Sequence, residues 1–194
     1  MFTGIIQALG QICGVESRGG DTRLSVACGE LDLGATQVGD SIAVNGVCLT
    51  AITVRHGGFS ADVSAESLTR TTLGRARPGH PVNLERALTL STPLGGHLVS
   101  GHVDGLGEIL AITAAARSWR LRIQAPKDIA RYIASKGSIA IDGVSLTVND
   151  IAGTAFEVNI VPHTWAATGM SSYRVGALVN LEVDLIARYL ERLL

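Results

Sequence analysis

Short alternating runs separated by glycine-rich turns dominate the chain. Asp40-Ser41-Ile42-Ala43-Val44 reads as a strand ending in Asn45-Gly46, a pair that tolerates the positive φ of a tight hairpin. Val47-Cys48-Leu49-Thr50-Ala51-Ile52-Thr53-Val54 is the return strand. Gly57-Gly58 turns the chain again, Phe59-Ser60-Ala61-Asp62-Val63 alternates, and Pro78-Gly79 precedes the run Val82-Asn83-Leu84-Glu85. Ser64 to Thr72 has room for one short helix. From Asp184, a candidate N-cap, the period changes. Leu185, Ile186, Tyr189, Leu190, Leu193 and Leu194 share one helical face, and Arg188, Glu191 and Arg192 the other. An isolated helix of about eleven residues is marginal in water, so this stripe needs a partner, either its own chain's body or another subunit.

The pattern is written twice. Ser41 to Thr50 lines up with Ser138-Ile139-Ala140-Ile141-Asp142-Gly143-Val144-Ser145-Leu146-Thr147 at an offset of 97 residues, with seven of ten positions identical. The register holds from Gly4 on Gly101 and Leu9-Gly10 on Leu106-Gly107 to Phe59 on Phe156, Gly79 on Gly176, and Val82-Asn83-Leu84-Glu85 on Val179-Asn180-Leu181-Glu182. Two copies of one fold follow, spanning 1–90 and 97–183, with a helix over 184–194. Turns every 8–12 residues favour a small closed barrel per copy, because closure removes exposed strand edges. Pro162 to Met170, the counterpart of the first-copy helix, reads as less helical. The join falls near Ala87 to Gly96, where Thr92-Pro93-Leu94-Gly95-Gly96 interrupts regular structure and Gly95-Gly96-His97 reads as linker.

Composition narrows the function classes. Among 194 residues, 16 Lys and Arg against 17 Asp and Glu give a net charge of −1, which lacks the basic footprint of a nucleic-acid binder. Charged residues are 17% and hydrophobic ones 46%, which excludes disorder. No apolar run approaches the ~18 residues of a membrane span, and Met1 to Gln7 has neither the basic nor the apolar region of a secretory leader. Cys13, Cys28 and Cys48 are an odd number without a CxxC. They predict no disulfide framework and no zinc site, and a cytoplasmic location. His56, His80, His97, His102 and His163 show no metal-ligand spacing, so no metal is expected.

Positions that differ between copies are the candidates for chemistry. Ile5 corresponds to His102, Gly39 to Lys136, Cys48 to Ser145, Ser64 to Val161 and Glu66 to His163. Each has a plain alternative: Cys48 as a small buried hydrophobe, Lys136 and Glu66 as solvated charges, His102 as a structural histidine. Together they cluster at the start of each copy, after each hairpin, and along the third strand and beyond. Small polar side chains at such matched places suit a flat, hydrogen-bonding heterocycle, one per copy.

The segments Met1-Phe2-Thr3-Gly4-Ile5-Ile6, Asn45 to Thr50, Gly95 to Gly105 and Lys136 to Thr147 together resemble the riboflavin synthase (alpha chain) family over essentially the whole chain. The resemblance implies an all-β fold of two homologous six-stranded Greek-key β-barrels plus a C-terminal α-helix, assembled as a homotrimer through that helix. It implies that two molecules of 6,7-dimethyl-8-ribityllumazine react, one donating a four-carbon unit to the other, with no cofactor. The active site would lie between the first barrel of one subunit and the second barrel of its neighbour. A lumazine synthase capsid is a candidate partner. By residue, it implies one pocket of Gly4, Ile5, Ile6, Cys48, Leu49, Thr50, Asp62, Val63, Ser64, Ala65, Glu66 and Ser67. The other comprises Gly101, His102, Val103, Lys136, Ser145, Leu146, Thr147, Asn159, Ile160, Val161, Pro162, His163 and Thr164. Phe2 would sit over a ring, Cys48 and Ser145 would be nucleophiles or proton relays, and His102 the acid/base, since an imidazole titrates near neutrality. Two segments depart from the family: Ser64-Ala65-Glu66-Ser67, and Trp165 to Met170. A chromophore-carrying binder and a ligand-free structural double barrel are the competing classes.

Overall fold

The computed structural model describes residues 1–193; Leu194, assigned above to the apolar stripe, lies outside them. The first copy contains β1 (Ala8–Arg18), β2 (Asp21–Ala27), β3 (Ser41–Val44), β4 (Val47–Thr50), β5 (Thr53–Arg55), β6 (Gly58–Val63), α1 (Ala65–Arg70) and β7 (Pro81–Arg86). The second contains β8 (Gly105–Ala115), β9 (Ser118–Gln124), α2 (Lys127–Ala130), β10 (Ser138–Ile141), β11 (Val144–Ala152), β12 (Ala155–Ile160), α3 (Pro162–Ala167) and β13 (Leu178–Val183), and α4 (Leu185–Leu193) follows.

The second copy closes as a six-stranded barrel in the order β10-β11-β12-β9-β8-β13. The first forms a seven-stranded sheet, β4-β3-β7-β1-β2-β6-β5, rather than six closed strands. Its two outer members are halves of one return strand. Upstream of Ala51 that segment pairs with β3, downstream it pairs with β6, and the Ile52 amide donates to the Ser60 carbonyl at 2.8 Å. The partner switch at this corner breaks the expected continuous strand over 47–54. In the second copy β11 stays continuous and bulges between Val148 and Asp150, at the matching place. Both hairpins turn through left-handed pairs, Asn45 (φ 47°)-Gly46 (φ 76°) and Asp142 (φ 45°)-Gly143 (φ 80°).

Each barrel has its own core, built around Ile12, Leu24, Ile42 and Leu84 in the first and Ile109, Leu121, Ile139 and Phe156 in the second. The barrels meet about an approximate two-fold axis. Asn83 Nδ2 donates to the Asp142 carbonyl (2.9 Å), and Asn180 Nδ2 donates to the Asn45 carbonyl (2.8 Å). Gly46 and Gly143 touch at the axis. A Cβ on either would come within 2.6 or 2.8 Å of the other's amide nitrogen, so no larger residue fits.

The helical segments differ from expectation in an instructive way. α3 forms as fully as α1, with Pro162 at its start, where a fixed φ and a missing N–H carry no penalty. α4 forms over the expected stretch, with the Asp184 carboxylate accepting from the Ile186 amide at 3.0 Å. Its polar face docks on the chain: Arg188 pairs with Asp104, and Glu191 with Arg131 and Tyr132. Its apolar face stays open, with Ile186, Tyr189 and Leu190 more than half exposed.

Candidate functional site

Two short segments cross between the barrels and build the candidate sites. Residues 2–6 run against the second barrel's hairpin, where the Gly4 carbonyl accepts from the Ser145 amide at 2.8 Å. Residues 99–103 run against the first barrel's hairpin, where the Gly101 carbonyl accepts from the Cys48 amide at 2.9 Å. Phe2 and Val99 bridge the two straps. Ile6 packs on the second core and Val103 on the first. The sequence grouping is therefore exchanged. Gly4, Ile5 and Ile6 join Ser145, and Gly101, His102 and Val103 join Cys48. Sequence neighbours cannot reveal such a crossing, because partner choice is made in three dimensions.

A buried carboxylate anchors each strap. Glu85 accepts from the Thr3 amide (2.6 Å), the Thr3 hydroxyl (2.7 Å) and the Gly4 amide (3.0 Å). Glu182 accepts in the same way from Ser100 (2.6 and 2.7 Å) and Gly101 (3.0 Å). Burial raises both carboxyl pKa values, outweighing the hydrogen bonds that favour ionisation. Neither glutamate stood out in the sequence, because the two copies carry the same residue and comparison flags only differences.

Cys48 is half-buried on β4, Thr50 at the end of that strand is exposed, and β4 borders β6, which leads into α1. Asp62 is held by Arg23 in a two-point pair at 2.8 and 2.9 Å, which lowers its pKa. Ser64 caps α1 by accepting from the Ser67 amide at 3.2 Å, and Glu66 pairs with Arg70 at 3.3 Å. An open cleft of about 690 Å³ runs from Ala65 and Glu66 to Asp104 and Leu106. His102 is exposed, its amide donating to the Ser100 hydroxyl at 3.2 Å.

The second site contains a pair the sequence reading missed. His97 Nδ1 lies 2.7 Å from Ser145 Oγ. His97 is buried at 9% exposure, its Nε2 has no partner, and burial lowers its pKa, so the ring is neutral at physiological pH. A neutral imidazole on a hydroxyl can draw its proton and raise its nucleophilicity. Gly96 makes the approach possible, since a Cβ there would sit 2.2 Å from the Thr3 carbonyl and 2.8 Å from Ser145 Cβ. The repeat could not expose His97, whose counterpart at the 97-residue offset would precede Met1. Lys136 is exposed and holds φ at 67°, where the first copy has Gly39. Thr147, Asn159, Val161, Pro162 and His163 are exposed, and Thr164 is half-buried.

Several expected site residues face elsewhere. Phe2 is fully buried (0% exposed) among Ala43, Val99 and Ala140, so its ring packs the barrel junction and presents no face to a ligand. The side chains of Leu49, Val63 and Ile160 point into the barrel cores, and Leu146 leans on the second core. Among the described residues, no group of His, Cys, Asp and Glu could hold a metal ion. No helix among them is long and apolar enough to cross a membrane.

Comparison with known proteins supplies the context. The family profile described as "Lumazine binding domain" matches residues 3–87 and 100–184. A riboflavin synthase of Photobacterium phosphoreum is 46% identical over 194 residues, covering 100% of this chain and 89% of its own length. A riboflavin synthase of Mycobacterium tuberculosis is 48% identical over 198 residues, covering 100% of this chain and 98% of its own. Among solved structures, LumP complexed with riboflavin superposes with a TM-score of 0.87 at 26% identity, over 94% of this chain and 99% of that one. LumP complexed with 6,7-dimethyl-8-(1'-D-ribityl) lumazine gives a TM-score of 0.85 at 25% identity, with the same coverage.

Proposed function

The chain belongs to the riboflavin synthase family, and from that membership we propose how its two barrels divide one reaction. The reaction is the dismutation of two 6,7-dimethyl-8-ribityllumazine molecules. One transfers a four-carbon unit to the other, giving riboflavin and 5-amino-6-(D-ribitylamino)uracil, so the chain is a transferase.

The observation that carries the division is the crossing of the straps, which sets Gly101 beside Cys48 and Gly4 beside Ser145, two equivalent places with different chemistry. On our reading each is a hollow that holds one lumazine. The first draws on Cys48, Thr50, Asp62, Ser64 to Ser67, His102 and Val103. The second draws on His97, Lys136, Ser145, Thr147, Asn159 to Thr164 and residues 4–6. Holding two rings in reacting geometry supplies roughly 7–11 kcal/mol in favourable cases. The remainder is proton transfer at the acidic methyl of the donor and addition at the imine carbon of the acceptor. His97, kept neutral by burial, accepts the Ser145 hydroxyl proton and returns it, which makes Ser145 a relay or nucleophile. His102 and Cys48 serve the other hollow as acid/base and nucleophile.

On the same reading, the reacting pair forms between the first barrel of one subunit and the second barrel of its neighbour. The homotrimer we propose draws on α4 for its interface. The polar face of α4 is spent on its own barrel, and its apolar face, with Leu94 and Leu98, lines an open groove of about 480 Å³. All three cysteines are unpaired, which fits a reducing cytoplasm. A lumazine synthase is the partner to test. The competing carrier reading draws on the LumP complexes.

Purified protein is incubated with 6,7-dimethyl-8-ribityllumazine and the products are separated by chromatography. One riboflavin per two lumazines over many turnovers supports the division of labour. Binding without product assigns a carrier. Light scattering at micromolar concentration reads the trimer, and a monomeric mass refutes it.

A further inference from the structure

We infer that the Arg188–Asp104 ion pair is a positioning device that makes the ligand site beside Cys48 depend on a seated α4. The site is the one read above as holding a lumazine against the strap of residues 99–103, and the pair's role rests on that reading. The strap is held at both ends. Glu182 takes the Ser100 and Gly101 amides at one end. At the other, the Asp104 amide donates to the Leu181 carbonyl at 2.8 Å, and Asp104 Oδ2 accepts from the Val183 amide at 2.8 Å. Asp104 Oδ1 pairs with Arg188, in the first turn of α4. Between the two anchors His102 is exposed and Val103 packs on the first core. Asp104 also lines the cleft of about 690 Å³ that Ala65 and Glu66 line, so the ion pair stands at the wall of the candidate site.

Comparing the copies shows what the carboxylate is for. At the 97-residue offset Asp104 corresponds to Gln7 and Val183 to Arg86. Gln7 Oε1 accepts from the Arg86 amide at 3.0 Å, the same bond between strap and strand. A neutral amide side chain therefore suffices for the fold. In the first copy β7 runs into the linker from Ala87 to Gly96, which carries no helix among the described residues. The carboxylate stands only where a cation on a following helix meets it. The Asp104 side chain is 8% exposed and that of Arg188 43%. A charge in so dry a place is costly without its partner, so loss of Arg188 leaves an uncompensated carboxylate at the end of the strap. The strap then opens to hydrate it, and His102 moves with the strap. Glu191 provides the contrast. It holds the same helix through Arg131 and Tyr132, and neither residue belongs to the strap.

Arg188→Gln and Asp104→Gln each remove the pair, and the second installs the first-copy residue, which keeps an acceptor for the Val183 amide. Arg188→Lys keeps the charge. Glu191→Gln removes the other ion pair of α4 and keeps an acceptor for Tyr132. Amide hydrogen exchange is followed by mass spectrometry on peptides covering residues 99–104 and residues 2–6. Arg188→Gln and Asp104→Gln should speed exchange over residues 99–104 about tenfold and leave residues 2–6 unchanged. Arg188→Lys should restore most of the protection, and Glu191→Gln should match the wild type. Turnover of 6,7-dimethyl-8-ribityllumazine should follow, with kcat down about tenfold and KM within about threefold, because the strap carries the acid/base His102. The double variant Asp104→Gln/Arg188→Gln should be no worse than either single, since both remove one interaction. Unchanged exchange over residues 99–104, additive losses in the double variant, or an equal effect of Glu191→Gln overturns the inference. Arg188 lies outside both barrel cores, so its variants keep the barrels intact. Wild-type protein that forms no riboflavin refutes the reaction reading instead, and the exchange comparison then decides the ion pair by itself.

Discussion

Asp142 and Asn45 occupy equivalent places in the two hairpins, and their difference makes a quantitative test. Asn45 Oδ1 accepts from the Asn83 amide at 2.7 Å, and Asp142 Oδ1 accepts from the Asn180 amide at 2.8 Å. The second carboxylate oxygen of Asp142 accepts from the Tyr173 hydroxyl at 2.5 Å, where the first copy has Ala76. Burial pushes the Asp142 carboxyl from 3.8 to about 6, against the hydrogen bonds from Tyr173 and Asn180. Below the unfolded value both states are protonated and nothing is lost. As pH rises toward about 6 the unfolded chain ionises first, so stability falls, and above about 6 the whole penalty stands. From 3.8 to about 6, at ~1.36 kcal/mol per pH unit, the penalty is about 3 kcal/mol. Asp142→Asn removes it and weakens the Tyr173 bond by about 1 kcal/mol. Urea denaturation of both proteins from pH 4 to pH 8 should show the variant gaining on the wild type by about 2 kcal/mol, mostly below about pH 6. A stability difference that stays flat across this range would refute the burial argument.

Three further outcomes follow from the straps and the second hollow. Glu182→Ala strands the Ser100 and Gly101 amides and should destabilise by about 3–5 kcal/mol in denaturant, with turnover falling further than stability because His102 loses its anchor. Lys136→Gly relieves a left-handed backbone and should raise stability by about 1 kcal/mol in a thermal melt while weakening ligand titration. His97→Gln should lower kcat about 100-fold with little change in KM. An unchanged kcat would remove the Ser145–His97 pair from the reaction.

Local pattern made the two copies, the hairpins and the α4 stripe legible. A tight turn or a helical period is decided by neighbours within a few residues, and Asn45-Gly46 and Asp142-Gly143 adopt the φ values their side chains permit. Comparing copies also singled out Cys48, Ser145, His102 and Lys136, since divergence against a shared scaffold stands out. Non-local choices were beyond it. Residues 2–6 and 99–103 are each held to their own copy by Glu85 or Glu182 and cross to the opposite hairpin through the Gly4–Ser145 and Gly101–Cys48 backbone bonds. That crossing buries Phe2, turning an expected ligand-facing ring into the junction's packing. It also brings His97 to Ser145 across 48 residues of chain. In α4 the amphipathic period was plain, but which face docks was not. Ion pairs to Asp104 and Arg131 turn the polar face inward and leave the apolar stripe outward. Periodicity states that a helix has two faces; only the charges it meets in the folded chain decide which one stays free.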